Sequence, residues 1–278
     1  MSVQAVLDEI TEEGGVLIGP YRAPTNLAMG AGEGSIHDDA TAQRLGFRGG
    51  TVAGSVHMQQ FPPVLLRAFG QRWFETGALS CYFRNATMHG EPVRPFLRLP
   101  APGDDVQTDL WMERDTGIKV LDGTASIGRP AELSIVEQRI EQPLPRGETR
   151  ILAHLEPGLQ TDAYPTRFDS ARMARSLAVL TEPLDWYTGP SPWGGPIVNP
   201  GIAVGPMRVP EAAFRLRENR AVGLFGAIEI RHLNGPIFVD RDYTCSGELL
   251  AVGETPQSEY VWYRTTLHDG GTDVAQMI

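Results

Sequence analysis

The chain has 278 residues, 41% hydrophobic and 21% charged, a globular composition that rules against disordered or fibrous protein and is long enough for one large core or two smaller ones. A formal net charge of −10 argues against a sequence-independent nucleic-acid binder, which needs a basic surface. Two cysteines, Cys81 and Cys245, build neither a disulfide framework nor a CxxC site, so two buried thiols in a reducing compartment are expected.

Met1 to Ile10 carries early acids and no apolar core, unlike a signal peptide, and no run approaches the roughly 18 apolar residues of a membrane span. The expected address is the cytoplasm, with neither membrane nor nucleic acid as partner.

The first chemically rich stretch is Gly32 to Met58, GEGSIHDDATAQRLGFRGGTVAGSVHM. His37 follows Glu33 by four residues and directly precedes Asp38 and Asp39. A short helix-like piece, Ala40 to Leu45, leads through a glycine turn to a longer helix, Ser55 to Phe69. There Met58, Phe61, Leu65, Ala68 and Phe69 recur at helical spacing and form one apolar stripe. Pro62 and Pro63 either kink that helix or open a second segment. Its start offers free backbone N–H groups near Gly54 and Ser55, where donors and helix dipole both favour a carbonyl oxygen. A base at His37 beside such amides suits proton transfer next to a carbonyl. The alternative is that His37 caps or packs its loop. His57, one residue from Met58, faces either the core or a pocket.

Alternating and β-branched stretches predict strands at Leu79 to Met88, Asp105 to Glu113, Lys119 to Ile127 and Leu133 to Ile140. Glu141 to Gln160 reads as a linker, with three prolines after a run of strands. Asp169 to Leu180 reads as an amphipathic helix capped by Asp169 or Ser170. Strand texture returns at Gly226 to Arg231, Ile237 to Leu250 and Ser258 to Leu267. Gly49-Gly50-Thr51-Val52 is echoed by Gly194-Gly195-Pro196-Ile197, and at the same spacing Met88-His89-Gly90 by Leu233-Asn234-Gly235, which predicts a duplicated fold. At that spacing Gly54 and Ser55 fall opposite Asn199 and Pro200, and His37 opposite Glu182. The six histidines show no HxH or HExxH spacing, and no GxGxxG or GxxxxGK[ST] motif appears, so neither a metal nor a nucleotide cofactor is expected.

The order of motifs resembles the MaoC-like hydratase/dehydratase family of hotdog proteins. The matching residues are His37, Gly46-Phe47, Gly49 to Gly54, the strand Leu79 to Met88 followed by Gly90-Glu91-Pro92-Val93, and Pro102-Gly103-Asp104-Asp105-Val106. The match covers residues 15 to 140 well and 165 to 278 more weakly. It implies an α+β double hotdog: two tandem units, each an antiparallel sheet wrapped around a central helix, joined edge to edge so that one exposed edge disappears. Residues 1–140 would form the catalytic unit, 141–160 the linker and 161–278 the unit shaping the substrate tunnel.

The resemblance further implies a lyase acting on an acyl thioester, carried by CoA or an acyl-carrier protein, or on a related β-oxygenated carbonyl compound, without cofactor. His37 would be the general acid/base, Glu33 its carboxylate partner, and the Gly54 N–H the donor to the carbonyl oxygen. Ser55, His57, Trp186, Tyr187 and Trp193 would bind substrate. One departure stands out: the family's catalytic aspartate lies five residues before the histidine, and that position here is Gly32. A thioesterase, a specialised isomerase or cyclase of secondary metabolism, and a non-catalytic binding subunit therefore stay open, as does pairing of two chains into a homodimer.

Overall fold

A computed structural model describes residues 1–29, 34–142, 147–216 and 221–278. The described strands are β1 (Thr11–Glu13), β2 (Val16–Ile18), β3 (Gly77–Phe83), β4 (Val93–Arg98), β5 (Val106–Arg114), β6 (Lys119–Ile127), β7 (Tyr164–Arg167), β8 (Ala227–His232), β9 (Asp242–Glu254), β10 (Glu259–Asp269) and β11 (Thr272–Met277). They form one antiparallel sheet in the order β1-β2-β4-β5-β6-β3-β8-β11-β10-β9-β7. Outward from the centre, β3-β6-β5-β4 on one side and β8-β11-β10-β9 on the other repeat one chain-order pattern. The two halves are therefore copies of one unit, joined where β3 and β8 pair from Ala78↔Arg231 to Tyr82↔Ala227.

The described helices are α1 (Val3–Leu7), α2 (Asp39–Arg44), α3 (Gly54–Met58), α4 (Pro62–Phe69), α5 (Trp73–Thr76), α6 (Ile135–Glu141), α7 (Ser170–Ala178) and α8 (Pro200–Ala203). The expected helix from Ser55 to Phe69 is two segments, because Pro62 and Pro63 take the first positions of α4, where their missing N–H groups cost nothing. Their common apolar face (Met58, Phe61, Val64, Leu65) is fully buried, in one core that also takes Leu79, Ile197, Met207 and Ile230. Each such side chain removed from water contributes about 1.5–3 kcal/mol. The starts of α3 and α8 touch: a Cβ on Gly201 would lie 2.1 Å from the Ser55 carbonyl oxygen. α7 begins as expected at Asp169, whose carboxylate accepts the Arg172 N–H.

Three expectations change. The strand predicted over Leu133 to Ile140 is the helix α6. Ser134 accepts the Glu137 N–H while the Glu137 carboxylate accepts the Ser134 N–H, and this reciprocal cap starts a helix regardless of apolar alternation. The strand predicted over Leu79 to Met88 stops at Phe83, because the N–H groups of Arg84 and Asn85 both donate to the Val120 carbonyl and the chain peels off the sheet. The duplicate of Met88-His89-Gly90 is Phe238-Val239-Asp240 rather than Leu233-Asn234-Gly235. Met88 and Phe238 make matching bridges to Thr51 and Ile197, and Gly90 (φ 76°) and Asp240 (φ 59°) turn with the same positive φ. Aspartate tolerates that left-handed turn better than most residues, so the glycine that would mark it is absent.

Part of the expected linker is held fast. The Glu259 carboxylate accepts the N–H groups of Arg150, Ile151 and Leu152, and Leu152 and Leu155 are buried. No helix among the described residues is long and apolar enough to cross a membrane.

Candidate active site

The loop before α3 is fastened on every side. Asp38 caps α2 by accepting the Thr41 N–H at 3.0 Å, and the Asp39 carboxylate accepts the Gly50 N–H at 2.7 Å. Asn26 Nδ2 donates to the His37 carbonyl at 2.9 Å, and the Thr51 N–H to the Ile36 carbonyl at 2.9 Å. The two acids after His37 are thus structural. Arg48 grips Glu91 with both guanidinium nitrogens, 2.6 and 2.8 Å, and the same carboxylate takes the Met88 N–H. Gly50 is glycine for contact reasons: a Cβ there would lie 2.3 Å from the His37 carbonyl oxygen.

His37 itself is half-buried, and its Nδ1 lies 2.7 Å from the Thr51 carbonyl oxygen. A carbonyl only accepts, so Nδ1 carries a hydrogen, and in the neutral ring the lone pair is on Nε2. The loop therefore holds the imidazole in one orientation through Nδ1.

Three residues beyond Thr51, α3 begins with Gly54. Its N-cap, Ala53, has no side-chain acceptor, and among the described residues no acceptor is found for the N–H of Gly54 or Ser55. The ring of Phe83 covers this start so closely that a Cβ on Gly54 would lie 2.4 Å from it. Val52 N–H donates to the Thr87 carbonyl at 2.8 Å, so the peeled-off end of β3 holds the approach to α3 in place. Glu33 lies outside the described residues.

The second half repeats the frame with other side chains. Ile197 N–H donates to the Trp186 carbonyl as Thr51 does to Ile36, and Val198 N–H to Ile237 as Val52 does to Thr87. Tyr187, not Glu182, therefore stands where His37 stands, and Asn199 and Pro200 stand where Ala53 and Gly54 stand. Pro200 has no N–H. Asn199 Oδ1 accepts the Gly201 N–H at 2.9 Å, while its Nδ2 donates to the Tyr187 hydroxyl oxygen at 3.2 Å. This helix start is closed by its own side chains.

The other candidates separate by burial. Tyr187 is only 2% exposed, and burial pushes its hydroxyl above the ordinary range. Trp186 and Trp193 are half-buried, pack edge to face at 5.7 Å and meet Phe74 of the first half; Trp193 Nε1 donates to Glu75 at 2.9 Å. His57 is 2% exposed with Nε2 2.7 Å from the Thr87 hydroxyl, and burial lowers its pKa to about 4, which keeps it neutral near pH 7. Two further polar side chains are committed to structural contacts: His89 Nδ1 accepts the Asn26 N–H at 3.2 Å, and Arg231 on β8 is paired with Glu229 and Glu137. Both cysteines are free and buried; burial pushes Cys245 up to about 12 and Cys81 higher still. Among the described residues no three metal-ligating side chains cluster.

Sequence reasoning missed Thr51, Asn26 and Thr87, which act through a carbonyl or a distant contact and leave no local motif. It also gave Glu182 no role. That carboxylate is buried behind Tyr187, bonded at 2.7 Å to Arg22, which also binds Glu9. Desolvation lifts it to about 7 despite the arginine.

No family model matches the chain, and no curated protein matches it in sequence. Solved structures do. A MaoC domain dehydratase structure from Chloroflexus aurantiacus superposes with a TM-score of 0.64 at 13% identity, covering 96% of this chain and 94% of that one. A conserved Mycobacterium tuberculosis protein, described as essential for survival during infection and as a double hotdog, gives 0.62 at 12% identity over 98% and 96%. The Drosophila melanogaster peroxisomal multifunctional enzyme type 2 gives 0.52 at 14% identity, over 95% of this chain and 48% of that one. With the repeated sheet order and the central β3–β8 pairing, these likenesses establish the fold: the chain is an α+β double hotdog protein, similar in structure to MaoC-like dehydratases.

Proposed function

We propose that the chain is a lyase of the hydratase/dehydratase type, acting on an acyl thioester of CoA or an acyl-carrier protein, with its chemistry in the unit of residues 1–140. The observation that carries this reading is the His37–Thr51 hydrogen bond, which leaves Nε2 as a base a few residues from an uncapped helix start. In the dehydration direction Nε2 takes the proton next to the thioester carbonyl. Negative charge grows on the carbonyl oxygen, where the N–H groups of Gly54 and Ser55 receive it. The β-hydroxyl leaves as water, taking the proton back from the imidazolium, directly or relayed through a Glu33-oriented water that gives one proton and receives the imidazolium's. Hydration is the same path reversed. The closed start of α8 supports placing the reaction in the first unit, with Trp186 and Trp193 beside the acyl chain and Tyr187 packed behind them.

The test is loss or gain of the conjugated enoyl-thioester absorbance over a series of chain lengths. Turnover by the wild type and its loss in His37→Ala, with both folded, is the expected result. Absence of turnover at every chain length rejects the reading, and release of free thiol instead makes the protein a thioesterase.

A further inference from the structure

The helix that opens at Gly54 and the turn that follows it carry two buried polar side chains, His57 and Gln60, that the proposed reaction does not use. His57 is 2% and Gln60 1% exposed. His57 Nδ1 and both Gln60 amide atoms, Nε2 and Oε1, have no hydrogen-bond partner among the described residues. Gln60 N–H donates to the His57 carbonyl at 3.1 Å, closing an i to i+3 turn, and in such a turn side chains three apart lie above one another. Three unpaired polar atoms therefore share one side of the turn that closes α3, next to the buried apolar residues Met58 and Phe61. Buried polar groups in native proteins are nearly always satisfied, so a cluster of three marks a place for a hydrogen-bonding guest.

The cluster is wired to the candidate site. His37 is held by the Thr51 carbonyl, the next residue Val52 by the Thr87 carbonyl, and the Thr87 hydroxyl by His57 Nε2. Gln60 lies six residues after Gly54, in the turn past the end of α3, and at helical rise that separation is about 9 Å, the span of an extended chain of about eight carbons. The chemistry accepts either partner type. Where the Thr87 hydroxyl donates to Nε2, Nδ1 carries the hydrogen and donates; where it accepts from Nε2, Nδ1 accepts; and the Gln60 amide adds one donor and one acceptor. Burial keeps His57 neutral, so an anionic group has no counter-charge there.

We infer that His57 and Gln60 form a subsite for a second oxygen function, a hydroxyl or ketone, on the acyl chain remote from the thioester. This deepens the lyase reading and rests on it for the position of the thioester: the natural substrate class is an oxygenated acyl chain rather than a plain alkyl one. A site built to bond a substrate oxygen discriminates against the chain that lacks it.

The test compares octenoyl-CoA with its counterparts bearing an ω−1 hydroxyl or ketone, in wild type and in Gln60→Met, which keeps volume and removes the amide. The expected result is a kcat/KM ratio of about 10² in favour of an oxygenated chain, collapsing towards one in the variant. Calorimetric binding of the saturated octanoyl-CoA analogues, with and without the ω−1 oxygen, runs in parallel. If no substrate turns over but the oxygenated analogue binds more tightly, and Gln60→Met abolishes the difference, the lyase reading fails and the subsite stands. Equal binding and equal kcat/KM for plain and oxygenated chains, as a buried bridging water between the two side chains would give, overturn the subsite whatever the enzyme does.

Discussion

Gly50→Ala tests the placement of His37 directly. The added methyl would sit 2.3 Å from the His37 carbonyl oxygen, 3.0 Å from its carbon and 3.2 Å from the Asp39 carboxylate. Two of these contacts are backbone, so rotamer change relieves nothing and the loop itself must move. Overpacking of this kind costs about 1–3 kcal/mol. For a chain of this size that lowers Tm by roughly 2–10 °C. On the proposed function activity suffers more, since a displacement near 1 Å of the proposed base costs about 10²-fold. Gly49→Ala is the control. Its Cβ meets side-chain atoms only, the Asp39 carboxylate at 3.1 Å and the Met88 sulfur at 3.4 Å, so a shift of a few tenths of an ångström accommodates it without moving backbone. Thermal unfolding and enoyl-thioester turnover are measured for both variants. Wild-type turnover in Gly50→Ala would refute the described seating of His37, and so would equal damage from the two substitutions.

His37→Ala is expected to lower kcat by about 10²–10⁴, and Glu33→Gln by about 10² with the fold intact; full activity of Glu33→Gln beside a dead His37→Ala rejects a dyad and leaves a single-histidine mechanism. Glu182 has a folded pKa raised from 4.5 to about 7, so its contribution to stability is fully present below pH 4.5 and is lost as pH rises through about 7. The stability of the wild type relative to Glu182→Gln, from urea unfolding, should therefore fall by on the order of 1–3 kcal/mol across that window; a gap that is constant or widens with pH contradicts this. Ser134→Ala removes the α6 cap and the hydroxyl that donates to the buried Glu229, so denaturant titration should show a loss of about 2 kcal/mol or more, with β6 unaffected in hydrogen exchange.

The parts of the fold legible in the sequence are those where local pattern and burial agree. The alternation read over Asp105–Glu113 is the strand β5, where Thr108, Leu110 and Met112 are buried and Asp109 between them is exposed. β4 gives no such pattern because Pro95 interrupts it, yet Pro95 lies just past the last β2 pair, Ile18↔Phe96, where its missing N–H is tolerated. α6 was readable from Ser134 and Glu137, a spacing that outweighs the apolar alternation around it. In the candidate site, His37 and Gly54 stand out because a loop histidine and a glycine at a helix start are local features. Their supports do not stand out: Thr51 acts through its carbonyl, and Arg22 reaches Glu182 across 160 residues of sequence. A contact of that separation has no signature until the sheet brings its ends together.

The two halves share a frame but divide its uses, and the division follows from what an open helix start costs. The first N–H groups of a helix have no partner within the helix, and a side-chain cap there is typically worth about 1 kcal/mol. The second half closes its start with Asn199, Pro200 and Tyr187. The first half leaves Ala53, Gly54 and Ser55 uncapped, and keeps its loop rigid with Asp38, Asp39, Asn26 and the Thr51 carbonyl instead. That arrangement forgoes a local cap while ordering everything around it, which is what a site needs if donors must already point at the place where charge will develop. The close approach of Gly201 to the Ser55 carbonyl sets the closed helix start directly against the open one, a further support beside those hydrogen bonds. Gly201→Ala, whose Cβ would meet that carbonyl at 2.1 Å, should therefore depress turnover even though it lies in the half without the histidine. Unchanged kinetics in a folded Gly201→Ala protein would show that the two starts are independent.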